Sequence, residues 1–169
     1  MHIRVAGALD AEALAEIAER TFRETFARDN TPEDMDDYSA AHFSAVLQLA
    51  ELSDVRSVTL LVLCDQTLIG YAQLLANSTL PPGIPEGAME LQRFYIEASW
   101  HGKGIAQALM QRCVDDAASH GAPALWLGVW ERNSRAIAFY RKSGFRDAGS
   151  QSFTLGADQQ TDRVMVLSL

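Results

Sequence analysis

The segment WHGKGIAQALMQRC, residues 100–113, decides how this sequence is interpreted. Two glycines, Gly102 and Gly104, open a run that is otherwise a good amphipathic helix. Glycine is the poorest ordinary residue in a helix interior, so its use at a helix start indicates that bare backbone is needed there. Orphan N–H groups at a helix N-terminus point toward one spot beside the positive end of the helix dipole. The segment therefore predicts a phosphate-binding turn, with Lys103 adding positive charge nearby.

Three phosphate-binding patterns are compared with this turn, beside the alternative of a tight turn that binds no ligand. The P-loop requires four residues between its glycines and Lys-Ser/Thr after the second, and neither condition holds. The dinucleotide fingerprint G-x-G-x-x-G would begin at Gly102, but its third small residue falls on Gln107. The third pattern is a pyrophosphate turn, Gln/Arg-x-x-Gly-x-Gly/Ala at a helix start. HGKGIA, residues 101–106, matches this pattern at Gly104 and Ala106 and departs from it at its first residue.

Composition and charge narrow the classes of function. The length of 169 residues suits one domain with its own core. The net charge of -8 and the pI near 4.9 argue against a nucleic-acid partner, which would require a basic face. An acidic surface favours cationic partners, although ordinary solubility charge is the commoner reason for such a balance.

Cysteine usage and hydropathy favour a cytoplasmic protein without a metal site. Cys64 and Cys113 lie far apart in apolar segments, and neither has a His or a second Cys at ligand spacing. We therefore expect both to be small core residues. The N-terminal segment lacks the layout of a signal peptide, and no apolar run approaches the ~20 residues of a membrane span. No membrane partner is expected.

Hydrophobic periodicity predicts the order strand, two helices, three strands, helix, strand, helix, two strands. Asp10 is a plausible N-cap for the first helix, and Pro32 starts a second helix that should run to about Leu52. The strand over residues 89–97 feeds a helix and then the strand over 124–130, which makes a crossover and hence a mixed α/β sheet. The apolar face of the first helix carries Leu14, Ile17, Ala18, Thr21, Phe22 and Phe26.

Gly, Pro, Asp and Gln residues indicate where the remaining turns and loops lie between the predicted strands and helices. Asp65 and Gln66 are predicted to turn a hairpin, and Gly144 to follow the last helix as its C′ residue. Residues 77–88 contain three prolines and two glycines, so they form a loop, either on the substrate side or as an inert connection. The tail is expected to form two strands around Gly156.

The pyrophosphate turn resembles that of the GCN5-related N-acetyltransferases (GNAT). LGVWERNSRAIAFYRKSGF, residues 127–145, resembles the acyl-CoA half of the same family, in which a strand ends in an Asn and a helix with a Tyr and then Gly-Phe follows. The resemblance implies a single GNAT acetyltransferase domain over residues 1–169, with a mixed, mostly antiparallel sheet of about seven strands flanked by four helices. It also implies acetyl-CoA as cosubstrate and no metal.

The resemblance assigns cofactor binding residue by residue. The first strand of the crossover, whose family counterpart bulges and splays from its neighbour, would offer backbone groups to the thioester and the pantetheine arm. Asn133 would bond the pantetheine, although as an N-cap it also has a purely structural explanation. The implied cofactor-binding residues are Phe94, Tyr95, Ile96, His101, Gly102, Lys103, Gly104, Ile105, Ala106, Asn133 and Tyr140.

Acetyl transfer to an amine requires three things: a neutral amine, donors for the developing oxyanion, and a proton for the departing thiolate. Tyr140 is the candidate general acid, because a phenol can return the proton to sulfur. Glu90 is the candidate base, since strand parity places it on the face of Gln92, Phe94 and Ile96. A salt bridge to a neighbouring strand would explain Glu90 equally well, and an amine that loses its proton to water would need no base.

The choice of amine rests on a narrower resemblance. TFRETFARDNTPEDM, MELQRFYIEASWHGKGIAQALM and GSQSFTLGADQQTDRVMVLSL resemble the PaiA-type bacterial polyamine N-acetyltransferases, which act on spermidine and spermine. A polyamine is an extended polycation, so its site should offer carboxylates at intervals. The candidates from the two early helices, each of which could instead be a solvated helix start, are Glu24, Glu33, Asp34, Asp36 and Asp37.

Other functions remain open at this point. The acceptor could be an antibiotic, an amino acid or a protein N-terminus instead of a polyamine. An inactive relative that binds acyl-CoA as a sensor would keep the glycine turn without needing an acid at Tyr140. A dinucleotide-binding module would prefer NAD to coenzyme A. Homodimerisation is open as well.

Overall fold

The computed structural model describes residues 1–155 and 158–169. Strands and helices follow the predicted order, with one additional helix. The strands are β1 (His2–Val5), β2 (Ser57–Cys64), β3 (Thr67–Leu75), β4 (Met89–Ile96), β5 (Ala124–Trp130), β6 (Arg146–Leu155) and β7 (Asp158–Ser168). The helices are α1 (Ala11–Phe26), α2 (Pro32–His42), α3 (Ala45–Ser53), α4 (Ile105–Ser119) and α5 (Ser134–Lys142).

In the described part of the chain one sheet holds seven strands, in the order β1-β2-β3-β4-β5-β7-β6. All neighbouring strands are antiparallel except β4 and β5, which are the two strands of the predicted crossover. The mixed, mostly antiparallel sheet is therefore confirmed. The crossover helix α4 lies on one face of the sheet, where its buried residues join those of β3, β4 and β5 in the largest core cluster.

The opposite face of the sheet is covered by α1 and α2. The six apolar-face positions predicted for α1 are all buried. The five apolar side chains among them pack with Met35 of α2, with Phe43 after it, and with Leu61 and Tyr71 from the sheet. Cys113 is fully buried in the α4 core, as expected of a small core residue.

The predicted long second helix is wrong, because the chain forms α2 and α3 instead. Thr31 caps α2 by accepting a hydrogen bond from the Asp34 N–H at 3.2 Å, and Ser44 caps α3 by accepting from the Leu47 N–H at 3.3 Å. The buried side chain of Gln48 donates to the His42 carbonyl at 2.9 Å, which satisfies the end of α2. The break contains neither Gly nor Pro, so the flanking sequence reads as one continuous helix.

Asp10 precedes α1 but does not cap it through its side chain. The carboxylate accepts two hydrogen bonds from Arg4 at 2.7 Å and one from the Gly7 N–H at 2.8 Å. It therefore stabilises the short 3₁₀ turn Ala8–Asp10 that leads into α1. The capping prediction was wrong in this detail, because Arg4 occupies the same carboxylate oxygens.

The predicted turns are present where the structure describes them. Asp65 and Gln66 have positive φ of 48° and 67°, as a two-residue hairpin turn between right-twisted strands requires. Residues 77–88 form no helix or strand, and Ile84 and Ala88 of this loop pack against the sheet beside Trp126. The turn predicted at Gly156 lies outside the described residues. No helix in residues 1–155 and 158–169 is long and apolar enough to cross a bilayer.

Candidate active site

A cleft of 790 Å³ opens where β4 and β5 separate. These two strands pair only at Met89 with Leu125 and at Glu90 with Trp126. Beyond Glu90 they diverge, so the edge of β4 that faces β5 has no strand partner, while its other edge remains paired with β3 as far as Ile96. Backbone groups of Phe94 to Ile96 on the free edge therefore face the cleft. The separation that the family resemblance implies is present.

The glycine turn forms one wall of the cleft. Gly102 and Gly104 have φ of 78° and 79°, a left-handed conformation that favours glycine, and no atom lies within 4 Å of a Cβ placed at either position. The first hydrogen bond of α4 runs from the Ala108 N–H to the Gly104 carbonyl. The preceding amides at the helix start therefore have no acceptor within the helix. A bare concave backbone with free donors at the positive end of α4 suits a pyrophosphate.

Helix α5 forms the next part of the wall. Asn133 caps this helix by accepting a hydrogen bond from the Ala136 N–H at 3.1 Å, which leaves its amide NH₂ available to a ligand. Tyr140 is 8% exposed, and its ring packs edge-on against Phe94 with ring centroids 6.2 Å apart. Burial raises the pKa of Tyr140, so the phenol stays protonated at neutral pH. Within the described chain its hydroxyl forms no hydrogen bond, although the residue lines the cleft.

Comparison with known proteins identifies the family that has this architecture. The acetyltransferase (GNAT) family model matches residues 11–145. The chain belongs to the acetyltransferase (GNAT) family. Over 160 residues it is 36% identical to an uncharacterised N-acetyltransferase of Mycobacterium tuberculosis, covering 95% of this chain and 98% of that protein. It is also 25% identical over 87 residues to a spermine/spermidine N(1)-acetyltransferase of Bacillus subtilis, covering 51% of this chain and 57% of that protein.

Solved structures show the same fold. The PaiA N-acetyltransferase from Thermoplasma acidophilum, determined in complex with coenzyme A, matches with a TM-score of 0.79. The two chains are 23% identical, and the match covers 100% of each. The match supports the assignment of the acetyltransferase fold to the whole described chain.

Three side chains of the acetyltransferase's glycine turn are engaged within the protein itself. The ring of His101 donates from Nε2 to the Ile96 carbonyl at 2.7 Å, so it fastens the turn to the end of β4. The Lys103 ammonium lies 4.3 Å from the centre of the Trp100 ring, a cation–π contact. Ile105 is buried in the core. Of these three residues, His101 lines the cleft, and Lys103 and Ile105 do not.

The parity argument for Glu90 is wrong. Gln92 has no partner on β3, because Leu91 pairs with Leu74 and Arg93 pairs with Gln73. This bulge reverses the side-chain alternation, so Phe94 and Ile96 join Met89 and Leu91 in the α4 core. Glu90 lies on the opposite face, the face of Arg93 and Tyr95, toward α1 and α2.

Glu90 nevertheless lines the cleft of the acetyltransferase, at the point where β4 and β5 separate. It is half-buried, and this burial raises the pKa of its carboxyl, while the neighbouring Ser78 hydroxyl opposes the shift. A carboxylate with a raised pKa is a better proton acceptor than an exposed one. The position is therefore compatible with a base on the acceptor side of the cleft.

The acidic start of α2 does not line the cleft. Of the five acidic candidates from the early helices, only Glu24 contributes to the lining, and it accepts a hydrogen bond from the Ala98 N–H at 3.3 Å. Asp36 pairs with Arg23 at 2.8 Å on the outer surface, and Asp34 accepts from the Thr31 hydroxyl at 2.6 Å. Helix capping and a surface ion pair explain these residues. Glu33 and Asp37 are exposed and also stand outside the lining.

Sequence reasoning missed a carboxylate that does line the cleft, Asp162 of β7. It pairs across the sheet with Trp130 of β5 on one side and with Gln151 of β6 on the other. Burial raises the pKa of Asp162 to about 6. Its position follows from the register of three strands that are distant in sequence, so only the alternation of β7 side chains could have suggested it.

Proposed function

We propose that this acetyltransferase transfers an acetyl group from acetyl-CoA to a primary amine of a polyamine such as spermidine or spermine. The observation that carries the proposal is the cleft itself. A bare backbone with free amide donors forms one side, and carboxylates with aromatic rings form the other. The first side suits acetyl-CoA, which carries a pyrophosphate and a thioester. The second side suits an extended cation. The Bacillus relative that acts on spermine and spermidine supports the same acceptor.

The residues present fit coenzyme A. The amides of the turn around Gly102 and Gly104 would bind the pyrophosphate, and the open space beside both glycines leaves room for it. The free edge of β4 over Phe94 to Ile96, together with the Asn133 amide, would bind the pantetheine arm. When bound, acetyl-CoA supplies the acetyl group as an activated thioester.

Tyr140 is proposed to donate the proton that the leaving sulfur needs. Its hydroxyl lies in the cleft without a hydrogen-bond partner among the described residues, so the proton is not engaged elsewhere. The phenol is protonated at neutral pH, as an acid must be. Proton donation by a positioned side chain is worth about 100- to 10,000-fold in rate.

Glu90 is proposed to accept the proton of the attacking amine, directly or through a water molecule. An alkyl ammonium has a pKa near ~10.4 and carries no lone pair, so it must be deprotonated before attack. Glu90 stands where the strands separate and faces the side of the cleft that is formed by α1 and α2. Its raised pKa brings it closer to the operating pH.

Direct attack by the amine is proposed rather than an acyl-enzyme intermediate. Cys113 is fully buried in the α4 core, where burial raises the pKa of its thiol, and Cys64 does not line the cleft. Within the described residues no cysteine is therefore placed to receive the acetyl group. Both substrates must then be bound together, and initial-rate plots should show intersecting rather than parallel lines.

The proposal is tested by measuring coenzyme A release from acetyl-CoA against a panel of acceptors. The panel contains spermidine, spermine, monoamines, aminoglycoside and streptothricin antibiotics, and peptides with free N-termini. Turnover restricted to the polyamines supports the proposed acceptor. Turnover restricted to another class of amine would contradict the polyamine acceptor, but it would still support acetyl transfer from acetyl-CoA to an amine. Binding of coenzyme A without turnover of any amine would indicate a sensor.

A further inference from the structure

We propose that Asp162 binds a second, non-reacting ammonium group of the acceptor and thereby selects diamines and polyamines over monoamines. This inference rests on the proposed function, because it assigns a specificity residue to the same cleft. It goes beyond that function by naming a group on β7 that takes no part in the chemistry. Four features of the structure support it.

The first feature is the direction of the side chain. Asp162 and Gln151 both fold over Gly128, where a Cβ would lie 3.1 Å from the Asp162 Oδ2 and 2.9 Å from the Gln151 Nε2. A side chain at residue 128 would therefore displace one or both of them. Gly128 itself lines the cleft together with these two residues. Because residue 128 of β5 is a glycine, the Asp162 carboxylate can lie at the cleft wall.

The second feature is that this carboxylate has no counter-ion. Throughout residues 1–155 and 158–169 Asp162 forms no ion pair or hydrogen bond through its side chain, and burial alone shifts its pKa. Glu51, another partly buried carboxylate near this face, is by contrast paired with Arg93. An unpaired, partly buried charge is costly to keep, and the cost is offset when a cation binds beside it. A resident carboxylate of this kind is suited to a cationic ligand.

The third feature is the aromatic surroundings. Trp130 of β5 is the strand partner of Asp162 on β7. The centroid of its ring lies 5.8 Å from that of the Phe26 ring on α1. Tyr38 of α2 is near enough for the charge of Asp162 to raise the pKa of its phenol. All three rings line the cleft. Aromatic faces around a single carboxylate attract alkylammonium groups, whose methylenes also pack on the rings.

The fourth feature is the separation of Asp162 from the reacting groups. The thioester side of the cleft is formed by β4 and by Tyr140 of α5, which packs in the core on the other face of the sheet. Asp162 lies on β7, with β5 between it and β4. The amine that attacks must reach the free edge of β4, so Asp162 is placed for a charge farther along the acceptor. In a polyamine the next ammonium is only a few methylenes away.

The test compares 1,5-diaminopentane with pentylamine, which have the same carbon chain and differ in the second ammonium. Asp162→Asn should lower kcat/KM for the diamine by about 10- to 100-fold, the loss of one charge-assisted contact, and change that for pentylamine by less than about twofold. The KM for acetyl-CoA should not change. Asp147→Asn is the matched control, because Asp147 is a β6 carboxylate paired with Arg141 and Arg163 outside the cleft.

Equal loss for the two amines, or no loss for either, would overturn the inference. Thermal melting of Asp162→Asn excludes unfolding as a cause, since removal of an unpaired partly buried charge should leave the melting temperature unchanged or raise it. If the wild-type protein acetylates no amine, the proposed function fails, and calorimetric titration with 1,5-diaminopentane decides the inference separately. Binding that is lost in Asp162→Asn supports it, and absence of binding to the wild-type protein refutes it.

Discussion

The guanidinium of Arg93 donates two hydrogen bonds to the carboxylate of Glu51, at 2.5 and 2.9 Å. Arg93 is the residue immediately after the bulge of β4, and Glu51 lies on α3. Gln73 of β3 donates to the same carboxylate at 3.2 Å. This cluster ties α3 to the strand whose free edge lines the cleft. It therefore links the stability of the fold to the geometry of the site.

Glu51→Gln should destabilise the protein by about 1–3 kcal/mol, because it leaves the Arg93 guanidinium partly buried without a counter-charge. For a chain of this length the change corresponds to a fall of about 3–10 °C in melting temperature. Asp54→Asn is the control, since Asp54 pairs with Arg56 at the surface, where ion pairs contribute little. Equal melting temperatures for the two variants would contradict the importance assigned to the Glu51 pair.

Gly104→Ala should weaken acetyl-CoA binding more than it lowers kcat. The methyl group enters the open space assigned to the pyrophosphate, and the left-handed backbone conformation costs about 1–2 kcal/mol of stability. We expect the KM for acetyl-CoA to rise by about tenfold. Gly121→Ala is the matched control, because Gly121 follows the C-terminal end of α4 with a φ of 75° and also faces open space. It should cost similar stability and leave KM unchanged.

Tyr140→Phe should lower kcat by about 100-fold and leave the KM for acetyl-CoA within about twofold. The hydroxyl forms no hydrogen bond with the described residues, so its removal should leave the melting temperature unchanged. Steady-state kinetics with varied acetyl-CoA separate the two parameters. A loss of equal size in kcat and in acetyl-CoA affinity would count against the role of Tyr140 as an acid.

The pH dependence of kcat/KM for a diamine should include an acidic limb with an apparent pKa near 6. Burial raises the pKa of Asp162 to about 6, so its carboxylate is charged above that pH and protonated below it. Binding of the second ammonium is therefore lost as the pH falls. The nearby phenols of Tyr38 and Tyr95 stay neutral in this range, because burial raises both of their pKa values.

This limb should disappear in Asp162→Asn and persist in His42→Asn, a control that replaces another side chain of the cleft lining. Persistence of the limb in Asp162→Asn would assign it to another group, with Glu90 the first to test because burial also raises its pKa.

The elements that local sequence determines were predictable. The hairpin turn at Asp65 and Gln66 and the turn around Gly102 and Gly104 each depend on residues that are adjacent in the chain. Turn residues are chosen by backbone sterics, so they can be recognised from the local sequence. The apolar face of α1 was predictable for the same reason.

Features that depend on packing between distant segments were not predictable. The break between α2 and α3 is made by Ser44 and by Gln48, which satisfy backbone groups without a Gly or Pro to mark the site. The bulge at Gln92 reverses the parity of β4, and its location follows from pairing with β3. Asp162 enters the cleft through the register of β5, β6 and β7. In each case the deciding contact joins residues that sequence spacing alone does not relate.

The most direct measurement is mass spectrometry of the products formed by purified protein, acetyl-CoA and spermidine, with released coenzyme A quantified in the same reaction. The proposed mechanism predicts one N-acetylspermidine for each coenzyme A released, and loss of both products in Tyr140→Phe. Coenzyme A release without an acetylated amine, or an unmodified spermidine pool after prolonged incubation with active protein, would contradict it.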